Sequence, residues 1–228
     1  MSLNATKIEY LTRHWPIAVG CSKGCSYCWA RNRVAPRLRH LCQKCGSYEP
    51  HVHWERLWDP RFARKEQRVG VAFTGDLFDP AFSDKVISQV VRVARICRWH
   101  TYLFLTKQVE RLRYASFLDW PDNIWVGVSV EDSSQFRDTL DLLQYVKAKN
   151  QWISLEPFLD KVWDFDWSSA THNVRWIVIG PETGSRGRLN FIPPRDWVET
   201  IIQEAKKRGV KVWVKENLKE IYPELFIQ

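Results

Sequence analysis

The chain has 228 residues, 45% of them hydrophobic, with a formal net charge of +8 and 13 tryptophans. This length suits one domain with a real core, and the charges are spread too evenly for a disordered chain. No stretch approaches the roughly 20 apolar residues of a membrane helix, and the start, Met1-Ser2-Leu3-Asn4-Ala5-Thr6-Lys7, lacks an apolar signal core. The expectation is a cytoplasmic protein with no membrane partner. The basic charge permits an anionic partner such as nucleic acid without demanding one.

Seven short runs rich in β-branched and aromatic residues recur, at 15–19, 69–73, 101–105, 124–130, 152–155, 176–179 and 210–214. Each is nearly continuous, as strands buried on both faces of a parallel sheet are. Helical patterns lie between most of them. The stretch 83–98 follows Asp79-Pro80, 133–147 has leucines and aromatics at helical spacing, and 194–208 opens on a proline and stops at Gly209. The runs end near residues 20, 74, 106, 130, 156, 180 and 215, and most intervals are 24 to 35 residues. A strand–helix–strand unit takes about 30. The first interval is 54 residues and holds an insertion at about 37–58 with Cys42, Cys45, His51 and His53.

Repeated βα units leave a β/α barrel, whole or partial, or an open doubly wound sheet. Polar residues follow nearly every run: Cys21; Thr74, Gly75 and Asp76; Thr106 and Lys107; Ser129 and Glu131; Glu156; Glu182; Lys215, Glu216 and Asn217. Barrels build their sites from the C-terminal ends of several strands, whereas an open sheet concentrates function at one switch point. The expectation is an α/β fold, a partial or full (β/α) barrel over residues 1–228 with a Cys/His-containing insertion after the first strand.

Five of the six cysteines fall between 21 and 45. Without an export signal, clustered thiols point to metal rather than disulfides. Cys97 sits in an apolar helical pattern and reads as a buried small hydrophobe. Immediately after the first run the chain reads Gly20-Cys21-Ser22-Lys23-Gly24-Cys25-Ser26-Tyr27-Cys28, a C-x3-C-x2-C spacing. Thiolates suit iron–sulfur clusters and zinc. Three thiolates leave one iron of a cubane cluster open to a small molecule. A zinc site of Cys21, Cys25, Cys28 and a histidine such as His14 is the alternative.

The spacing, with Tyr27 at its aromatic position, resembles the radical S-adenosylmethionine (SAM) superfamily. The segments Thr74–Phe78, 105–107, 126–131, 154–157 and 178–184, in that order, resemble an uncharacterised radical-SAM-like family of phages and mobile elements. The resemblance implies a partial or full β/α barrel with a [4Fe–4S] cluster on Cys21, Cys25 and Cys28. The open iron would chelate SAM, and an electron donor such as flavodoxin or ferredoxin would drive its cleavage to a 5′-deoxyadenosyl radical. Thr74, Gly75 and Asp76 match the position of a Gly-Gly-Glu-like segment that holds the SAM amino group, though they depart from that sequence. Ser129 and Glu131 resemble residues that contact the SAM ribose or carboxylate.

Glu156, Glu182 and Lys215 are candidate catalytic residues; Glu156 and Glu182 could equally pair with Lys107 or Lys215 as structural ion pairs. In the insertion, two thiolates and two imidazoles could complete a zinc site, although His51 and His53, two residues apart, share a side only in extended chain. Three functional readings follow: a radical SAM enzyme of unknown substrate, a zinc-stabilised nucleic-acid-binding protein without catalysis, and a degenerate barrel that keeps its cluster for structure. Arg31, Arg33, Arg37, Arg39, Arg186 and Arg188, with abundant aromatics, make nucleic acid or a nucleotide a candidate substrate.

Overall fold

The chain divides into two compact units, residues 1–126 with 146–149, and residues 127–145 with 150–228. The computed structural model describes residues 2–114, 118–161, 173–184 and 187–226.

In the first unit, β1 (Arg13–Trp15) and β2 (Ala18–Val19) replace the single expected run 15–19. Pro16 stands between them, and a residue without an N–H cannot carry the ladder onward. The insertion and the residues flanking it fold into α1 (Ala35–Leu38), α2 (Gln43–Ser47), β3 (His51–Val52) and α3 (Asp59–Phe62). Next come β4 (Arg68–Val71), α4 (Asp84–Ile96), β5 (Thr101–Thr106), α5 (Val109–Tyr114) and the start of β6 (Ile124–Val130). Helix α4 buries Val86, Ile87, Val90, Val91, Val93 and Ala94 on one face. Each fully buried valine or isoleucine is worth about 1.5–3 kcal/mol, and Cys97 caps the helix as a buried apolar residue.

The second unit takes up the rest of β6, then α6 (Ser133–Leu143), β7 (Asn150–Leu155), β8 (Val174–Ile179), β9 (Glu182–Thr183), β10 (Leu189–Phe191), α7 (Arg195–Lys207), β11 (Lys211–Val214) and α8 (Glu216–Lys219). Asp132 caps α6 by accepting the Gln135 N–H at 2.9 Å. Gly209, at φ 67, ends the turn after α7.

Seven strands form one sheet in the order β1-β4-β5-β6-β7-β8-β11. The β1–β4, β4–β5, β7–β8 and β8–β11 pairings are parallel. The architecture is therefore α/β, as expected from the strand–helix rhythm. Of the two barrel forms expected, the partial one fits, since among the described residues β1 and β11 end the order. Strand β2 leaves this sheet and pairs antiparallel with β3, and β9 pairs antiparallel with β10. Among the described residues, no helix is long and apolar enough to cross a membrane.

Candidate functional site

The cysteine loop leaves β2 through Gly20, whose φ of 88 only glycine adopts readily. Cys21, Cys25 and Cys28 are all half-buried. The Lys23 N–H points to Cys21 Sγ and the Arg31 N–H to Cys28 Sγ, each at 3.4 Å. A π-helical turn, Ala30–Val34, follows and runs into α1. Buried Asp79 anchors the loop by accepting from the Ser22 N–H at 2.6 Å and the Ser22 hydroxyl at 2.7 Å. Burial works to raise the Asp79 carboxyl, but these bonds and the Ala81 N–H outweigh it and hold it below its usual range. The Arg31 guanidinium donates to the Cys21 carbonyl at 3.1 Å and lies 5.2 Å from the centre of the Tyr48 ring. Lys107 Nζ stands 5.2 Å from the centre of the Tyr27 ring. Burial pushes the Cys21 thiol up to about 12, with Asp76 and Asp79 adding to the rise. A thiolate there requires a neighbouring cation or cluster.

The segment after β4 packs on this loop. Gly20 and Gly75 form an isolated parallel bridge, and a β-carbon at Gly75 would lie 2.6 Å from the Gly20 carbonyl oxygen. The close approach that Gly75 permits is thus to the entry of the cysteine loop. Asp76 is buried and accepts from the Phe78 N–H at 2.9 Å, the Thr106 hydroxyl at 2.8 Å and the Lys107 N–H at 3.0 Å. Those bonds tie the end of β4 to the end of β5. Burial pushes the Asp76 carboxyl up to about 6 despite them. The buried Thr74 hydroxyl has no partner among the described residues, a state usually resolved by water or a ligand.

In the second unit, the Ser129 hydroxyl donates to the Glu156 carbonyl at 3.2 Å. Glu131 is half-buried, and its N–H reaches Gln135 Oε1 at 3.1 Å. Glu156 Oε1 and Lys215 Nζ pair at 2.8 Å, and the Ser154 hydroxyl reaches Glu156 Oε2 at 3.3 Å. The structure therefore joins two of the three catalytic candidates to each other. Glu182 lies in the β9–β10 hairpin and accepts from Asn190 Nδ2 at 2.9 Å. Arg188 is exposed in the same hairpin, and Arg186 lies outside the described residues.

The insertion brings its four candidate ligands together. The ligand atoms of Cys42, Cys45, His51 and His53 all lie within 4.8 Å of one another. Cys42 is the N-cap of α2, and its sulfur receives the Cys45 N–H at 3.5 Å. His51 lies in β3 and His53 directly follows it, and their Nε2 atoms come within 3.0 Å of each other. Burial first, then Cys42, push the Cys45 thiol up to about 12. Cys21, Cys25 and Cys28 do not form such a single-ion group with His14 among the described residues. His14 is buried in β1, and its pKa is lowered to about 4 by burial and by the charge of Arg56.

Sequence reasoning missed three residues that shape this region. In the sequence Asp79 marks only the approach to a helix. Tyr48, whose hydroxyl stands 3.5 Å from Cys28 Sγ, and Gly20, which lets the loop turn, carried no local signal.

The fold is similar to that of spore photoproduct lyase, solved in complex with dinucleoside spore photoproduct. The TM-score is 0.59 at 11% identity, over 94% of this chain and 79% of the lyase chain. None of the curated proteins compared matches the sequence. Residues 5–219, nearly the whole chain, match the family described as "Protein of unknown function (DUF5131)", and this chain belongs to that family.

Proposed function

We propose that this protein is a radical SAM enzyme in which Cys21, Cys25 and Cys28 hold a [4Fe–4S] cluster and the substrate is a nucleic acid or a nucleotide-bearing molecule. The observation that carries the reading is the position of the three cysteines. They sit on a loop leaving β2, pinned to the segment after β4, in a fold similar to that of spore photoproduct lyase. The cluster, when bound and reduced by a donor such as flavodoxin or ferredoxin, would supply the electron that cleaves SAM.

The chain's own residues supply the rest. The half-buried thiols and the N–H groups of Lys23 and Arg31 fit a set of cluster ligands. Asp79 and Gly75 fix the loop in place. The unpartnered Thr74 hydroxyl is free to accept from the amino group of SAM, and the Asp76 carboxylate, held against β5, adds negative field for that ammonium. Glu156 and Lys215, already paired, are the candidates for proton exchange. The same reading gives zinc to Cys42, Cys45, His51 and His53.

Three observations support a nucleic-acid substrate. The chain is basic. Arg37 and Arg39 are exposed just beyond the cysteine loop. In the first unit Trp29, Trp54, Trp58 and Phe62 are exposed and offer surfaces on which bases could stack. The complex of the similar lyase with a dinucleoside photoproduct points the same way.

Anaerobic reconstitution with iron and sulfide, followed by an assay for 5′-deoxyadenosine, tests the reading. Parent protein should take up a full cluster and cleave SAM. The Cys21→Ala, Cys25→Ala and Cys28→Ala variants should lose both. Zinc alone in the parent, with no iron uptake, would return the protein to the zinc-stabilised binding reading.

A further inference from the structure

We infer that the metal of the Cys42, Cys45, His51 and His53 group is a positioning device for the cysteine loop, with Tyr48 as the residue that reaches from one to the other; this rests on the zinc and cluster assignments above. The metal site itself has a physical signature. His51 Nδ1 lies 2.7 Å from the Glu49 carbonyl oxygen and His53 Nδ1 lies 2.8 Å from Glu55 Oε1. Both partners are acceptors, so in a neutral ring each Nδ1 carries the proton and each Nε2 presents a lone pair. Those two lone pairs face each other at 3.0 Å, with Cys45 Sγ 3.3 Å from one and 3.1 Å from the other. Cys42 Sγ is 3.6 Å from His51 Nε2. Two imidazole nitrogens and two sulfurs converge there as a compact donor cage that one cation can fill. With zinc–nitrogen bonds of about 2.0–2.1 Å and zinc–sulfur bonds of about 2.3 Å, tetrahedral edges run from about 3.3 to 3.8 Å. The His51–His53 and Cys45–histidine spacings are slightly shorter than those edges, and the Cys42–His51 spacing falls within their range.

The cage is built into the entry of the cysteine loop. His51 is the ladder partner of Val19, two residues before Cys21, and the His53 N–H donates to the Ile17 carbonyl at 2.8 Å. Gly20 lies against the Glu49–Pro50 backbone so closely that a β-carbon would come within 2.5 Å of the Glu49 carbonyl. Tyr48 follows α2 at φ 59, its N–H bonded to the Cys45 and Lys44 carbonyls, and its ring is buried with Ala30 and Ala35. Its hydroxyl is 3.5 Å from Cys28 Sγ. Once Cys28 is a thiolate, only the phenol can donate in that pair. The metal thus holds both the strand that enters the loop and the hydroxyl that meets its last sulfur.

Four measurements test the inference. Zinc content should approach one ion per chain in the parent and vanish in the Cys42→Ser, Cys45→Ser double variant. Glu55→Ala, which frees His53 Nδ1, should weaken zinc about 10–100-fold. Hydrogen exchange of the 21–31 amides in cluster-free protein should slow when zinc is added to the chelated parent. Tyr48→Phe should keep zinc and iron but lower the cluster reduction potential, because hydrogen bonds to cluster sulfur favour the reduced state. Bound zinc with unchanged exchange in the loop overturns the positioning role, and an unchanged potential in Tyr48→Phe removes Tyr48 from it. Absence of zinc overturns the metal assignment and the inference together. Failure to bind iron leaves the exchange result standing and counts only against the cluster.

Discussion

Gly75 and His14 are both governed by space that the fold leaves them. A β-carbon at Gly75 would lie 2.6 Å from the Gly20 carbonyl oxygen and 2.9 Å from the Val19 carbonyl carbon, both backbone atoms that cannot rotate away. Gly75→Ala should therefore push the cysteine loop off the segment after β4. A loss of about 1–3 kcal/mol in denaturant unfolding is expected, together with reduced iron uptake. His14 is buried with its pKa lowered to about 4. An exposed histidine titrates near 6.5, so between these values the unfolded chain binds more protons than the folded one. Stability is then lost as pH falls through this window. Between pH 7 and pH 5 the loss from this group is about 2 kcal/mol. Urea unfolding at both pH values, with metal held constant, should show that slope in the parent and a shallower one in His14→Gln.

At the level of elements, β7, β8 and β11 lie side by side, and the residues after them meet. Glu156 follows β7, Gly180 follows β8 and Lys215 follows β11. A β-carbon at Gly180 would lie 2.8 Å from Lys215 Cδ and 2.9 Å from Glu156 Cγ. Glycine at the end of the middle strand is what lets the pair close over it. The pair is about a quarter exposed, so screening keeps its worth small. A double-mutant cycle of Glu156→Gln and Lys215→Met should give a coupling of about 0.2–1 kcal/mol in stability. Should the pair also exchange protons in the reaction, either single variant would lose turnover far beyond what that coupling explains. Activity falling only in step with folded fraction would make the pair structural.

For the whole molecule, net charge of +8 and exposed aromatic residues in the first unit set how it would meet a polyanion. Each phosphate neutralised contributes about 0.9 to the slope of log affinity against log salt for a duplex and about 0.7 for a single strand. Binding of single-stranded DNA by the cluster-loaded protein should weaken steeply with salt. Arg37→Ala and Arg39→Ala should each reduce that slope, while Trp29→Ala should cost about 1–3 kcal/mol at every salt concentration. Binding that ignores salt, or that is absent at low salt, would leave the exposed arginines and tryptophans without this role.

Some of this was present in the linear order of residues and some was not. Parallel strands are buried on both faces, so their apolar runs at 101–105 and 124–130 match β5 and β6 to within a residue at either end. Helix α4 was visible because its buried valines recur with the helical period. The C-x3-C-x2-C spacing and the C-x2-C knuckle are local, and local chemistry survives in a sequence. The run 15–19 looked whole because hydrophobicity alone does not register the missing N–H of Pro16. The β9–β10 hairpin escaped because two short strands leave too few residues for a period. Contacts between distant residues belong to the tertiary structure: Asp79 with Ser22, Tyr48 with Cys28, Gly75 with Gly20, Glu156 with Lys215. The sequence by itself determined which side chains could bind metal and that the chain would alternate strand and helix. Only the folded backbone decided which of them meet, because a contact across a sheet depends on strand order and register, and neither is written in the spacing of residues along one strand.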